Sequence, residues 1–187
     1  ILYYIMNDIY NNESNIITEK HIQNILFIIN SNKPNQSINM PKNKILVKEY
    51  NKLYIKDNID IVNDYKIELK DNIKINNITF KIETDEDEDG NNICRINSKN
   101  IKLPLYLRNR KNGDYIILKS SNNRKKIKEI FIENKLPLSK RNIYPLLTDS
   151  NDNIIWIPNM KKSNLCYKKD ENYDIIIKCI EREEDYE

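Results

Sequence analysis

The chain has 187 residues with 31 basic and 28 acidic side chains, so its formal net charge is only +3. It contains no run of 18 apolar residues, which excludes a membrane-spanning helix, and its three separated cysteines favour a reducing, cytoplasmic compartment over a disulfide scaffold. Its only two glycines are too far apart for a glycine-rich phosphate loop, so we expect no ATP site here.

Residues 1–33 are predicted to be the end of a helical domain. The opening "ILYYIMNDIY" has helical character, and Thr18 then precedes a run of apolar residues at helical spacing. The stretch "NSNKPNQS" that follows is typical of a linker. His21 is the only histidine, and we interpret it as a residue of the helix surface because no second ligand or base accompanies it.

Residues 34–98 are predicted to form an antiparallel β meander. The runs "KILVKEY", "KLYIK", "YKIEL" and "ITFKIET" alternate with period two and are separated by Asn and Asp turns. The acidic run from Asp85 to Gly90 matches the opening of a calcium loop, but Ile96 stands where the closing glutamate is required. We therefore interpret this run as a connecting loop and predict no metal site.

Residues 99–187 are predicted to be a separate C-terminal domain of mixed strands and helices. Strands are expected in "LPLYLRNR", "DYIIL", "IYPLLTD", "IIWIP" and "YDIIIKCI". The stretch "RKKIKEIFIENK" favours a basic amphipathic helix, with Ile127, Ile130 and Phe131 on its apolar face. The predicted class is α+β: a short helical segment, a β meander and a mixed, β-sandwich-like domain with one basic helix.

Positive charge is concentrated in residues 101–169, which carry 16 basic and 5 acidic side chains. Residues 1–100 carry 13 basic and 15 acidic side chains, and residues 170–187 carry 2 basic and 8 acidic ones. This segregation indicates a polyanionic partner. The alternative is a solvated lysine-rich surface in a chain of biased composition, which lacks alanine altogether.

The stretch "LRNRKNGDYI" holds the most specific pattern in the basic segment. In a strand, Arg108 and Arg110 would share a face, and Gly113 would permit a tight turn closed by Asp114. Two guanidinium groups held side by side suit phosphate oxygens. The alternative is that one of the arginines pairs with Asp114 and only stabilises the turn.

Further basic groups follow on the predicted helix and beyond it. Phosphate contacts of this kind position a nucleic acid without reading its sequence. The predicted RNA-binding residues are Arg108, Arg110, Lys111, Lys125, Lys126, Lys128, Arg141, Lys161 and Lys162. No catalytic residue and no metal ligand is predicted.

The stretches "LPLYLRNRKNGDYI" and "KKIKEIFIENKLPLSKRNIYPLLTDSNDNIIWIPNMKKS" resemble the C-terminal domain of the bacterial tRNA(Ile)-lysidine synthetases over residues 103–163. The shared features are an Arg-x-Arg-x-x-Gly-Asp turn, a Lys-Lys-x-Lys segment, and an Ile-Ile-Trp strand that ends in Pro. Asn159 stands where the family usually has Gly, and Asn tolerates the left-handed conformation better than other residues.

The resemblance implies a fold similar to a domain of the phenylalanyl-tRNA synthetase β subunit. It implies a parent enzyme that ligates lysine to the wobble cytidine of an isoleucine tRNA, with ATP and Mg bound by an N-terminal domain. The sequence begins with Ile1 and not with Met, and it contains no adjacent glycines of the kind that the ATP-binding loop of the family requires. We therefore expect this chain to be a fragment that lacks the N-terminal domain and is catalytically inactive alone. Its expected partner is tRNA, in the cytoplasm, away from membranes.

A different class of function fits the same pattern of strands. The chain could be a protein–protein or dimerisation module without RNA affinity, in which an exposed Trp156 or Tyr144 anchors the partner. A homodimer is therefore an open alternative, and a scaffold that only orients a catalytic domain is a third.

Overall fold

The computed structural model describes residues 1–11, 13, 16–58 and 64–182. Short strands dominate it, and the helices are few and short, in agreement with the predicted mixture. The chain divides into two units, Ile1–Ile61 and Val62–Glu187. The division falls inside the predicted meander, because strands of residues 66–96 pair within the second unit.

The first unit combines two helices with an antiparallel three-stranded sheet in the order β1-β2-β3. Its elements are α1 (Leu2–Ile9), α2 (Glu19–Asn30), β1 (Asn35–Met40), β2 (Lys44–Glu49) and β3 (Lys52–Asp57). Met6, Ile25, Ile28 and Met40 belong to its apolar core. Burial of one face of each helix against the sheet is what the apolar spacing predicts.

His21 has a structural role at the start of α2. The backbone N–H of Thr18 donates to Nδ1 of His21 at 3.0 Å, and the Thr18 hydroxyl lies 3.1 Å from the same nitrogen. This side-chain cap satisfies a donor that the first turn of a helix leaves free. The interpretation of His21 as a residue of the helix surface is therefore confirmed.

The second unit contains two sheets and two short helices. Its strands are β4 (Lys66–Glu68), β5 (Ile73–Ile75), β6 (Ile78–Glu83), β7 (Ile93–Ile96), β8 (Tyr106–Arg108), β9 (Tyr115–Ile117), β10 (Arg124–Lys126), β11 (Leu146–Thr148), β12 (Ile154–Ile157), β13 (Lys161–Lys162) and β14 (Ile175–Glu181). The helices are α3 (Ile127–Glu133) and α4 (Leu138–Arg141), with a 3-10 turn at Ser98–Asn100.

The larger sheet of this unit places the Arg-x-Arg stretch on a crossover. Its order is β10-β9-β12-β11-β8-β4, with β13 beside β12. Strands β8 and β11, and β11 and β12, are antiparallel, whereas β12 and β9 are parallel. Strands β8 and β9 therefore run in the same direction, and residues 109–114 carry the chain from the end of one to the start of the other.

The smaller sheet has the order β5-β6-β14-β7 and shares one apolar core with the larger one. Trp156 lies at its centre with no exposed surface, and its indole N–H donates to the carbonyl oxygen of Asn91 at 2.9 Å. Tyr144 is buried as well, and its hydroxyl donates to the carbonyl oxygen of Pro158. The prediction that either ring is an exposed anchor is therefore wrong, since both fill the core.

The three cysteines are buried free thiols, in agreement with the sequence interpretation. Asn159 adopts φ = 60°, the left-handed conformation that Asn tolerates better than other non-glycine residues. In the part of the chain that the structure describes, no helix is long and apolar enough to cross a membrane.

The predicted basic helix begins later than expected. Residues Arg124–Lys126 form β10, which pairs with β9 in the register Arg124 to Ile117 and Lys126 to Tyr115. Only residues from Ile127 onward are helical, with Ile127, Ile130 and Phe131 buried as predicted. The helical period is present but short, because backbone pairing with β9 determines the conformation of the three basic residues before it.

Candidate nucleic-acid interface

Arg108 is a buried residue that holds the crossover between β8 and β9 in place. Its side chain is 2% exposed, and its two terminal nitrogens donate to the two carboxylate oxygens of Asp114 at 2.7 and 3.1 Å. The same carboxylate accepts the backbone N–H of Lys111 at 2.7 Å. The predicted exposed arginine pair is therefore wrong for Arg108, and the alternative of an internal pair with Asp114 is what the structure shows.

Asp152 gathers three cations on the other side of this crossover. Its carboxylate lies 2.6 Å from Nζ of Lys111, 2.9 Å from Nζ of Lys66 and 3.4 Å from Nε of Arg108. The hydrogen bonds from Lys111 and Lys66 lower the pKa of Asp152 from 3.8 to about 2. One carboxylate thus holds several positive groups together, and the cluster keeps a net positive charge.

Arg110 points to a different neighbour. Its Nε and Nη2 donate to the side-chain oxygen of Asn142 at 3.0 and 2.7 Å, at the end of α4. The side chain of the preceding Asn109 is buried and donates to the carbonyl oxygen of Asn142 and to Asp64. These residues line a shallow polar cavity together with Lys111 and Asn112. Neutral amide contacts orient the guanidinium of Arg110 without neutralising its charge.

Gly113 allows the turn that closes the crossover. Its φ is +87°, and a Cβ built on it would have nothing within 4 Å. The requirement for glycine here is thus one of backbone conformation, as predicted, and not of space.

The hairpin of β9 and β10 continues the basic surface from this turn. The backbone N–H of Ile127 donates to the carbonyl oxygen of Asp114 at 3.0 Å, so the end of β10 lies beside the turn. Lys126 is opposite Tyr115 in the ladder, and the guanidinium carbon of Arg124 lies 4.7 Å from the centre of the Tyr115 ring. Lys126 and Lys128 are exposed.

Two other predicted residues have partners within the fold. Arg141 is 7% exposed, and its Nε donates to the carbonyl oxygen of Leu136 at 2.8 Å. Lys125 points to the core side of the hairpin and forms an ion pair with Glu133 of α3 at 2.6 Å. The prediction that these two cations lie exposed is therefore wrong, because each one stabilises a turn or a helix.

The acidic loop of residues 85–89 takes up another part of the positive charge. Lys178 contacts Glu86 and Glu88, Lys169 contacts Asp87, and Lys162 lies 3.6 Å from Asp89. The hydrogen bond from Lys178 lowers the pKa of Glu86, and the hydrogen bond from Lys169 lowers the pKa of Asp87. The loop connects β6 to β7, as predicted, and its carboxylates balance nearby lysines.

The predicted cations therefore fall into two groups. Arg108, Arg110 and Lys111 lie around the crossover, and the hairpin brings Lys126 and Lys128 next to it. Lys161 and Lys162 belong to β13, and the ion pair of Lys162 is with the acidic loop instead. The assignment of Lys161 and Lys162 as RNA contacts stays a prediction.

Sequence reasoning missed Lys66, Tyr115 and Asn142 as members of this surface. Lys66 is 86 residues from Asp152 along the chain, and no local pattern indicates that pairing. The contact between Arg124 and Tyr115 depends on the register of β10 against β9, and an assignment of Arg124 to a helix does not predict that register.

Comparison with known proteins gives a consistent set of matches. Residues 105–177 match the model of the family described as the TilS substrate C-terminal domain. The chain is 33% identical over 178 residues to the tRNA(Ile)-lysidine synthase of Bacillus licheniformis, covering 87% of this chain and 36% of that protein. It is 34% identical over 162 residues to the bifunctional protein TilS/HprT of Listeria innocua, covering 83% of this chain and 25% of that protein.

A solved structure has a similar fold. The crystal structure of a TilS C-terminal domain superimposes with a TM-score of 0.58 at 28% sequence identity, covering 65% of this chain and all of that one. The chain thus spans between a quarter and somewhat more than a third of the curated relatives just described. The residues 105–177 that match the family model enclose every predicted RNA-binding residue.

Proposed function

Because this chain contains the C-terminal domain of the tRNA(Ile)-lysidine synthase family, we propose that it docks tRNA for an enzyme of that activity. The observation that carries the proposal is the cationic surface of the crossover and the hairpin, formed by Lys66, Arg110, Lys111, Arg124, Lys126 and Lys128. Fixed guanidinium and ammonium groups on neighbouring elements match the spaced phosphates of an RNA backbone.

The buried arginines have a supporting role in this proposal. Arg108 holds the crossover through Asp114, and Arg141 holds α4 through Leu136. Each supports a neighbouring cation: Lys111 shares the carboxylates that Arg108 contacts, and Asn142, which follows Arg141, accepts hydrogen bonds from Arg110. The direct phosphate contacts are assigned to the exposed and partly exposed cations.

The chemistry of the parent enzyme is proposed to lie outside this chain. A tRNA(Ile)-lysidine synthase joins lysine to a cytidine of its tRNA, and we assign the binding of ATP and magnesium to another part of such a protein. The present chain contributes affinity and orientation, which lower the entropic cost of bringing the tRNA to a catalytic centre. We assign the protein to the cytoplasm, where its tRNA substrate is.

A paired substitution tests the docking surface. Replacing Arg110 and Lys111 together by Ala should weaken tRNA binding by at least tenfold, measured by fluorescence anisotropy at fixed salt, because two phosphate contacts are lost. The matched control replaces Lys20 and Lys33, two exposed lysines of the first unit, and removes the same charge elsewhere. Equal losses in the two variants, or no loss in either one, would show that the crossover is not the docking surface.

A second candidate function rests on the helices of the first unit. Tyr4 is 78% exposed and Phe27 is 70% exposed, and Ile5 and Leu26 are exposed as well. Exposed aromatic side chains of this size favour a protein contact, and a homodimer is one form of it. Light scattering over a range of concentrations tests this candidate, since a dimer that ignores tRNA would support association in place of RNA docking.

A further inference from the structure

The outer face of the hairpin of β9 and β10 carries a flat aromatic and guanidinium surface. Tyr115 is 43% exposed, more than any other aromatic residue that the structure describes in the second unit. Arg124 lies over its ring, with 4.7 Å between the guanidinium carbon and the ring centre. Ile116, which alternates with Tyr115, is buried, so the strand turns Tyr115 outward.

The position of this pair on the sheet makes it accessible. Strand β10 is at the edge of the larger sheet and pairs on one side only, with β9. Lys126 is directly opposite Tyr115 in the ladder, at the close spacing that such pairs share. Lys111 precedes the strand by one tight turn, and Lys128 follows at the start of α3. Positive charges therefore surround a planar surface on which a neutral ring can lie.

The chemistry of this surface selects a particular kind of ligand. Unpaired nucleobases stack on Tyr rings and on the plane of an Arg side chain, whereas the bases inside a duplex are covered by their neighbours. A phosphate alone cannot stack on the aromatic ring, and the carboxylate side chains of an acidic protein segment offer no ring that could stack on it. A nucleotide offers both a planar base and a flanking phosphate.

We propose that Tyr115 and Arg124 form a stacking platform for an unpaired nucleobase of the bound RNA, with Lys126 beside it for the adjoining phosphate. The inference rests on the proposed RNA docking and deepens it, since it assigns to this hairpin the single-stranded part of the ligand. The crossover cations then hold the backbone of the neighbouring duplex.

The test compares three RNA probes on the full chain. One is a blunt hairpin, the second carries a short single-stranded extension, and the third carries the same extension with abasic sugars in place of nucleotides. The third probe keeps every phosphate and removes every base. The extension should raise affinity at least fivefold over the blunt hairpin, and the abasic extension should lose most of that gain, because stacking on one aromatic side chain is worth at least that factor.

Variants then assign the gain to the platform. Tyr115→Ala should abolish the difference between the first two probes, while Tyr115→Phe should keep it, since the ring and not the hydroxyl carries the stacking. The control is Tyr173→Ala, because Tyr173 also lies near an arginine, Arg95, but next to the acidic loop. Thermal unfolding checks that each variant is folded, and the comparison of the three probes on the unchanged chain keeps the proposal falsifiable if the Ala variant is not.

The outcomes separate the two proposals. Binding of the blunt hairpin without any gain from the extension would overturn the stacking platform and leave RNA docking standing. A gain that the abasic extension reproduces in full would also overturn it, because phosphates alone would explain the affinity. Failure to bind any of the three RNA probes would overturn both.

Discussion

Arg108 and Arg110 stand two residues apart, yet the fold gives their guanidinium groups different surroundings. Arg108 is buried against Asp114, whereas Arg110 is partly exposed and donates to a neutral amide of Asn142. A charge that is buried with its partner cannot also face a phosphate. At the scale of single residues, the motif therefore consists of one structural arginine and one available arginine.

This difference predicts opposite effects of two similar substitutions. Arg108→Ala should lower the free energy of unfolding by about 3–5 kcal/mol, because it leaves the carboxylate of Asp114 without its buried partner. Arg110→Ala should change stability by no more than about 0.5 kcal/mol, as substitutions near the surface usually do. Urea unfolding measures both values. Similar losses of stability for the two variants would contradict the assignment of Arg108 as the structural member.

At the scale of elements, Asp152 links the turn before β12 to the crossover and to β4. Its contacts with Lys66 and Lys111 join segments that are far apart in the chain. The left-handed conformation of Asp152, with φ = 63°, presents the carboxylate to them, and Asn tolerates the same conformation. Asp152→Asn is therefore a substitution that removes the charge and keeps the turn.

The lowered pKa of Asp152 predicts a loss of stability in acid. Because the folded-state pKa of about 2 is below the value of 3.8 for a free side chain, the unfolded chain binds this proton first as pH falls. The contribution of Asp152 should be complete above pH 4 and disappear as the pH falls to about 2. Asp152→Asn should flatten this part of the profile of unfolding free energy against pH, whereas the exposed Asp71→Asn should not.

The elements also show which parts of the fold the sequence predicts. Runs of apolar and β-branched residues identify strands such as β2, β6 and β12: buried and partly buried residues alternate at the start of β6, and all four residues of β12 are buried. The same reasoning fails for Arg124–Lys126, whose polar side chains carry no apolar period. Their strand conformation comes from pairing with β9, a contact between segments that local propensity does not contain.

The candidate site shows the same limit. Gly113 and Asp114 are readable from the sequence, because a glycine and an aspartate next to each other favour a tight turn. The burial of Arg108 depends on β11 and β4, which flank β8 and lie 38 and 42 residues away at their paired positions, Leu146 and Lys66. Only the assembled sheet decides which of two adjacent cations faces inward.

At the scale of the whole molecule, the net charge of +3 conceals an uneven distribution. The acidic loop neutralises part of the basic segment, and the exposed lysines of the hairpin keep their charge. Affinity for RNA should therefore depend on a small number of positions and not on the total charge. The slope of log affinity against log salt concentration gives the number of these positions, because each phosphate contact releases counterions.

Substitution of two exposed lysines tests this number of phosphate contacts. Lys126→Gln with Lys128→Gln should reduce the slope of log affinity against log salt by about two, one for each lost phosphate contact. The same change at Lys20 and Lys33 should leave the slope as it is. Titration of labelled tRNA at several potassium chloride concentrations gives both slopes, and a slope unaffected by the hairpin pair would remove these lysines from the interface.

The acidic loop has a consequence for how an RNA approaches. Its five consecutive carboxylate residues are largely compensated by Lys162, Lys169 and Lys178, so this part of the second unit offers a polyanion no surplus of positive charge. We expect productive encounters of an RNA to begin instead at the cations of the crossover and the hairpin. The loop thereby lowers the positive potential on its own side of the second unit, which favours some orientations of approach over others before contact is made.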